Sequence, residues 1–209
     1  MAEYWYRRKT WTKTDEEEFF ARLKRTSIHR EQYLICQAKD FIATKDDKLI
    51  DVAETLLKKL LTDSTEDRFS KRGSALCNLG NIYEHRQKYE KAFEYYLQAM
   101  DFEKKHPNMK TNAYIDYSEL VIKLNKTSDY PFVEKIILDS GFLMFPLEKY
   151  KAAAILSIIY NYWHKTDIAN EYAKIAMQNA NAETSGLRYH KYFGLVKKED
   201  RWLDKFVKK

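Results

Sequence analysis

Apolar residues recur along this chain at intervals of three and four, the spacing that gathers them on one stripe of an α-helix. Tyr33, Ile35, Cys36, Phe41 and Ile42 mark one stripe, and Leu49, Val52, Ala53, Leu56, Leu57 and Leu60 a second. Leu76, Leu79, Ile82 and Tyr83 give a third, followed by Phe93, Tyr96, Leu97 and Met100. The pattern runs on through Tyr114, Tyr117, Leu120, Val121 and Leu124 to Val133, Ile136 and Ile137. Ahead of these, Thr14 and Glu17 fit a capping box that opens a helix over EEEFFARLKR, whose acidic start and basic end suit the helix dipole. Pro131 and Pro146 stand where helices would begin and Pro107 falls in the polar break HPNMK, so no proline interrupts a stripe. The breaks, among them ATKDD, TDSTED, RQKY, NKTSDY, DSGF and HKT, are short. Helices of about 12–18 residues joined so closely lie antiparallel.

Small residues have fixed places in this pattern. In LGNIYEHRQKYEKAFEYYLQA, residues 79–99, Gly80 precedes Tyr83 on one helix and Ala92 and Ala99 flank Tyr96 on the next. A large side chain facing a small one lets two helices approach closely, so Gly80, Ala92 and Ala99 are spacers at a helix crossing. The arrangement recurs in LSIIYNYWHKTDIANEYAKIA: Ser157 lies 77 residues after Gly80, and Ala169 lies 77 after Ala92. Two repeats of about 38–39 residues fit that distance. A weaker unit, YIDYSELVIKLN with PFVEKIILDSG, falls between them, and another with Ala38, Ala53, Leu57 and Leu60 lies upstream.

The stretch with Gly80, Tyr83, Tyr89, Ala92, Tyr96 and Ala99 resembles a tetratricopeptide repeat, strongly over 73–106, fairly over 150–180 and weakly over 31–62 and 109–140. Pro107 comes later than the usual closing proline, and the repeats are longer than usual. The resemblance implies an all-α fold, a right-handed α-solenoid of about four antiparallel helix pairs whose concave face holds another protein or peptide. The single domain divides into an N-terminal segment and helix (1–30), repeats (31–180) and a C-terminal cap (181–209). In the cap, Glu183–Phe193 can add a helix and Glu199–Val207 a short last one, with Trp202, Leu203 and Phe206 on one face.

Helix register projects an inner face. It takes Cys77, Asn78, Asn81, Glu84 and His85 from the best repeat, and Lys39, Asn112, Glu119, Lys123, Ala154, Asn161 and Tyr162 from its neighbours. Asn78 and Asn81 resemble asparagines with which some tetratricopeptide domains hold a carboxy-terminal peptide, but apart from Lys39 the flanking places carry Ile35 and Asn112 or Asp116 instead of the clamp's basic residues. A groove of Asn, Glu, Lys and Tyr suits a folded protein surface or an internal peptide. At the N-terminus, Trp5, Tyr6 and Trp11 alternate with Arg7, Arg8 and Lys9; this segment either folds back over the first helix as a cap or presents a partner-binding edge.

Composition narrows the functional classes. With 44% hydrophobic and 33% charged residues the 209-residue chain has both a core and a solvated surface. Its net charge of +6 is concentrated at the ends, +3 over residues 1–13 and +5 over 186–209, which leaves the body at −2 and disfavours phosphate-backbone binding by the main surface. The basic termini leave a nucleic-acid binder as an alternative. His29, His85, His106, His164 and His190 are scattered singly, and the five glycines form no phosphate loop, so neither a metal nor a nucleotide cofactor is expected. Glu16, Glu17 and Glu18 are explained by the dipole of the helix they open, and no catalytic constellation stands out. Cys36 and Cys77 read as small buried hydrophobes. Neither a secretory signal nor a membrane span is recognisable, which predicts a cytoplasmic protein that needs no membrane. The expected function is non-catalytic protein binding. The compact form resembles small bacterial tetratricopeptide proteins that serve one partner: immunity proteins that neutralise a toxin domain, secretion chaperones and regulatory adaptors.

Overall fold

The computed structural model describes residues 4–26, 29–63, 71–141 and 143–207. Within these the protein is helical and contains no strand. The chain forms two compact units, Met1–Ala113 and Tyr114–Lys209. The first holds α1 (Lys13–Lys24), α2 (Arg30–Thr44), α3 (Asp47–Asp63), α4 (Arg72–His85) and α5 (Tyr89–Lys105). The second holds α6 (Ala113–Lys123), a 3-10 turn (Thr127–Asp129), α7 (Tyr130–Leu138), α8 (Pro146–Tyr162), α9 (Thr166–Ala180) and a 3-10 segment (Lys198–Lys205). Helices pack as neighbouring pairs, α2 on α3, α4 on α5 and α8 on α9, and α4 also packs on α3 and on α2. Packed pairs thus stand at three of the four predicted places, α6 and α7 follow one another at the fourth, and Pro146 and Pro131 lie in the first turns of α8 and α7. Of the predicted links, most of TDSTED and Phe142 of DSGF lie outside the described residues.

The turn that closes each first helix sets a common register. Among the described residues, Lys45, Gln87, Asn125 and His164 are the non-glycine residues with positive φ, between 52° and 59°, at intervals of 42, 38 and 39 residues. A left-handed residue after a helix lets the next amide reach back to the last open carbonyls. Lys88, Lys126 and Lys165 donate in this way to the carbonyls of Tyr83, Val121 and Tyr160 at 2.8–3.0 Å. In the first pair the Thr44 hydroxyl substitutes, donating to the Phe41 carbonyl at 2.6 Å and accepting from the Asp46 amide at 3.1 Å. Seven residues before each left-handed position stand Ala38, Gly80, Ser118 and Ser157, all small and all buried. The spacer role of Gly80 is explicit: a Cβ there would lie 2.3 and 2.5 Å from ring atoms of Tyr96. At the equivalent place in α8, the Ser157 hydroxyl fits the notch and donates to the Ala169 carbonyl at 2.9 Å.

The two units repeat one another in detail. Tyr83 stacks on Tyr95 with centroids 5.3 Å apart, and 77 residues later Tyr160 stacks on Tyr172 at 5.6 Å. The hydroxyl of Tyr83 donates to Glu54 on α3 at 2.7 Å, and that of Tyr160 to Glu134 on α7 at 2.6 Å. Each of those glutamates lies nine residues after the left-handed position of its own pair. Each unit therefore carries the same tyrosine–glutamate bond, from α4 to α3 in the first and from α8 to α7 in the second.

Three local expectations are corrected. The first capping box is made by Thr12 and Asp15, two residues ahead of Thr14 and Glu17, because the Asp15 carboxylate is also held by Arg8 and by Thr10. Residues 183–193 form turns instead of a further helix, since Gly186 and Gly194 take positive φ and Ser185 bonds across the loop to the carbonyls of His190 and Lys191. Cys36 is only half-buried, whereas Cys77 is buried; neither is in a disulfide.

The N-terminal segment lies over α1 and α2, the capping alternative of the two. Trp5 packs on Phe19 and Tyr33, and Trp11 on Phe19 and Phe41, at centroid distances of 4.9–5.4 Å. Gln37, fully buried, fixes it by accepting from the Arg8 amide and donating to the Arg8 carbonyl, both at 2.8 Å. This satisfies both main-chain groups of Arg8 outside any helix. Arg7 adds a two-pronged bond to Asp40 at 2.8 Å in each arm.

Candidate functional site

The register assigns the predicted inner-face residues to the first helix of each pair, and the structure separates them into three groups. Asn78 and the neighbouring Cys77 are buried, and the Asn78 amide donates to the Ser74 carbonyl of its own helix at 2.6 Å. Asn78 is therefore a packing residue and presents no free amide to a groove, as Ala154, fully buried in α8, presents no surface. Asn81 and Glu84 are half-buried and meet over the Gly80 notch. There the Tyr96 hydroxyl donates to Asn81 Oδ1 at 2.7 Å and lies 3.0 Å from Glu84 Oε2. Their first task is to receive the polar tip of the ring that fills the notch. The third group is exposed: Lys39 on α2, His85 at the end of α4 with its Nε2 3.4 Å from Asp47, Asn112 before α6, Lys123 on α6 and Tyr162 on α8. Asn161 is half-buried, and Tyr162, 53% exposed, sets its ring edge-on to Tyr130 at 5.2 Å.

Electrostatics in the first unit centre on Glu54, which accepts from Tyr83, from Lys58 at 2.6 Å and from Arg86; Arg86 also bridges to Asp51. Burial pushes the Glu54 carboxyl up, but these hydrogen bonds outweigh it and hold the group at about 2. The cluster ties α3 to the end of α4, beside His85.

In the second unit Glu119 is the organising residue. It occupies the place on α6 that Asn81 holds on α4 and Lys39 on α2, six before the left-handed residue. One carboxylate oxygen accepts from Lys151 on α8 at 2.8 Å, with both side chains less than 20% exposed. Burial pulls the Lys151 ammonium down, and the Glu119 carboxylate more than offsets this, leaving it above the ordinary lysine value. The other oxygen accepts the indole N–H of Trp202, from the 3-10 segment, at 3.0 Å. Beside it Leu203 is fully buried and Tyr150 donates to Asp204 at 2.8 Å. A stretch of chain is thus seated on the faces of α6 and α8 through an indole, an aliphatic side chain and a carboxylate.

Sequence reasoning placed Glu119 on this face but missed Lys151, Tyr150 and the seating of Trp202. The spacing of Trp202, Leu203 and Phe206 signals one apolar face, and nothing in it signals which helices that face meets. No helix among the described residues is long and apolar enough to cross a membrane. Compared with family models, curated proteins and solved structures, the chain has no match in any of the three.

Proposed function

We propose that the chain is a non-catalytic protein-interaction module, its four helix pairs being tetratricopeptide-type units of one right-handed α-solenoid that bind a partner protein or peptide along the first helices of the pairs. The observation that carries this reading is the seating of Trp202 and Leu203 on α6 and α8, because it supports these faces as receptors for peptide chain. An aromatic anchor with a satisfied N–H beside a buried aliphatic group is the kind of contact that dominates protein–protein binding energies. In the first unit the corresponding faces of α2 and α4 carry Lys39 and His85, both exposed. The tetratricopeptide assignment is further supported by the packing of α4 on both α3 and α2 and by the small residues at Ala38, Gly80, Ser118 and Ser157.

The experiment is affinity capture from the native host with quantitative mass spectrometry. Wild type is compared with Lys39→Glu/His85→Glu and with Lys123→Glu/Tyr162→Ala. These positions are exposed, whereas substituting Asn81 or Glu84 would disturb the Tyr96 contact and confuse folding with binding. Loss of the main captured protein in either variant, with helicity and Tm unchanged, supports the proposal; undiminished capture by both refutes it. The narrower form of the reading is an immunity protein that covers a toxin domain, tested by whether co-expression rescues growth from a toxin encoded beside it.

A further inference from the structure

We infer that the segment Lys197–Phe206 is a built-in, displaceable occupant of the α6/α8 face, and that the partner of this face is a peptide of the same chemistry: an indole followed by an aliphatic residue and a carboxylate. The inference rests on the reading of these faces as peptide receptors and goes beyond it by naming what they receive and what holds the place meanwhile.

Three observations carry it. The segment is placed as a ligand and not as an end cap. It lies on α8 and reaches Glu119 on α6, while α9 keeps Ile168, Ile175 and Met177 39–44% exposed. A segment whose task was to close the last helix would cover those side chains. Its tether is pinned at one point and otherwise open. The Gly194 carbonyl accepts from the Leu147 amide at 2.8 Å and Phe193 sets its ring edge-on to Phe145 at 5.1 Å, while the rest of 182–197 is turns and irregular chain in which Tyr189 and Tyr192 are 80% and 78% exposed. Leu203 is the only residue of the segment that is fully buried, and the 3-10 run is broken at Arg201. Short 3-10 runs with few buried contacts belong to the parts of a fold that open locally. Finally, the receiving face keeps its own ion pair when the occupant leaves. Glu119 stays bonded to Lys151, and Tyr150 belongs to α8, with its hydroxyl turned to the segment's Asp204. Departure of the segment frees one lone-pair site on Glu119 and the Tyr150 hydroxyl, the two groups that a replacement peptide's indole N–H and carboxylate would satisfy.

Two measurements on the full chain test this. The first is fluorescence anisotropy with a labelled synthetic peptide KKEDRWLDKFV, residues 197–207. The Trp202→Ala/Leu203→Ala chain should bind it at least tenfold more tightly than wild type, whose own segment competes. Adding Glu119→Lys should abolish the gain, and a peptide with alanine in place of its tryptophan should not bind. Equal binding, or none, by wild type and the double variant overturns the proposal. The second measurement needs no variant: hydrogen exchange of wild type should show the amides of 198–206 protected at least a hundredfold less than those of α8. Protection equal to that of α8 would make the segment an integral part of the core and overturn the proposal. Peptide binding in trans involves no host protein, so it can succeed or fail independently of the capture experiment.

Discussion

Gly80→Ala is the substitution whose outcome the close helix crossing dictates most sharply. On an isolated helix it would stabilise by about 1 kcal/mol, because alanine is the better helix former. Here the added methyl carbon would stand 2.3 and 2.5 Å from the Tyr96 ring, far inside contact distance. Tyr96 is fully buried and its hydroxyl is held by Asn81 and Glu84, so the ring cannot swing aside without losing those bonds. Overpacking costs about 1–3 kcal/mol and a displaced hydroxyl about 1 kcal/mol more. Set against the propensity gain, the net expectation is a loss of about 1–3 kcal/mol. Urea denaturation of wild type, Gly80→Ala, Tyr96→Ala and the double variant measures it as a thermodynamic cycle. With the ring removed, Gly80→Ala should become neutral or stabilising. A Gly80→Ala protein as stable as wild type, or one whose loss is the same in both backgrounds, would refute the argument.

The other expectations concern the ties between elements. Ser157→Ala should cost about 1 kcal/mol through the lost bond to the Ala169 carbonyl, read by thermal unfolding. Gln37→Leu leaves both main-chain groups of Arg8 without their partner and should cost about 1–3 kcal/mol, with increased exchange at residues 4–11. Glu54, held at about 2 against an ordinary 4.5, has its pKa lowered by folding, so its contribution is present above the ordinary value and is lost as pH falls toward the lowered one. Glu54→Gln should therefore be less stable than wild type by on the order of 2 kcal/mol at neutral pH, and the gap should narrow between about pH 5 and pH 2. A gap independent of pH would contradict the ion cluster.

Much of the fold was legible because the helix period is carried by every stripe and the prolines respect it. The two strong pairs were legible for a sharper reason: Gly80 with Ala92 and Ser157 with Ala169 put small residues on both helices of a crossing. Five residues after the left-handed position, where those alanines stand, the weak pairs carry Ile50 and Tyr130, both buried. There the small partner is kept only on the first helix, as Ala38 and Ser118, and the motif fades although the geometry persists. The closing turns were not readable, since Lys45, Gln87 and His164 adopt a conformation that glycine or asparagine usually announces; only Asn125 gives that signal. The candidate site was half legible. Register placed Asn81, Glu84 and Glu119 on first helices of their pairs, where the structure also has them. What each one holds, Tyr96 from the paired helix or Trp202 from 83 residues away, depends on contacts that no local spacing encodes.

The claim that the first helices of the pairs form the partner-binding surface is tested most directly by site-specific photo-crosslinking in the native host. A benzophenone side chain is introduced in turn at Lys39, His85 and Lys123 on first helices, and at the exposed Lys91 and Lys174 on second helices. The account predicts one host protein cross-linked from the first-helix positions and not from Lys91 or Lys174. Cross-links to a host protein from Lys91 or Lys174 alone would contradict it.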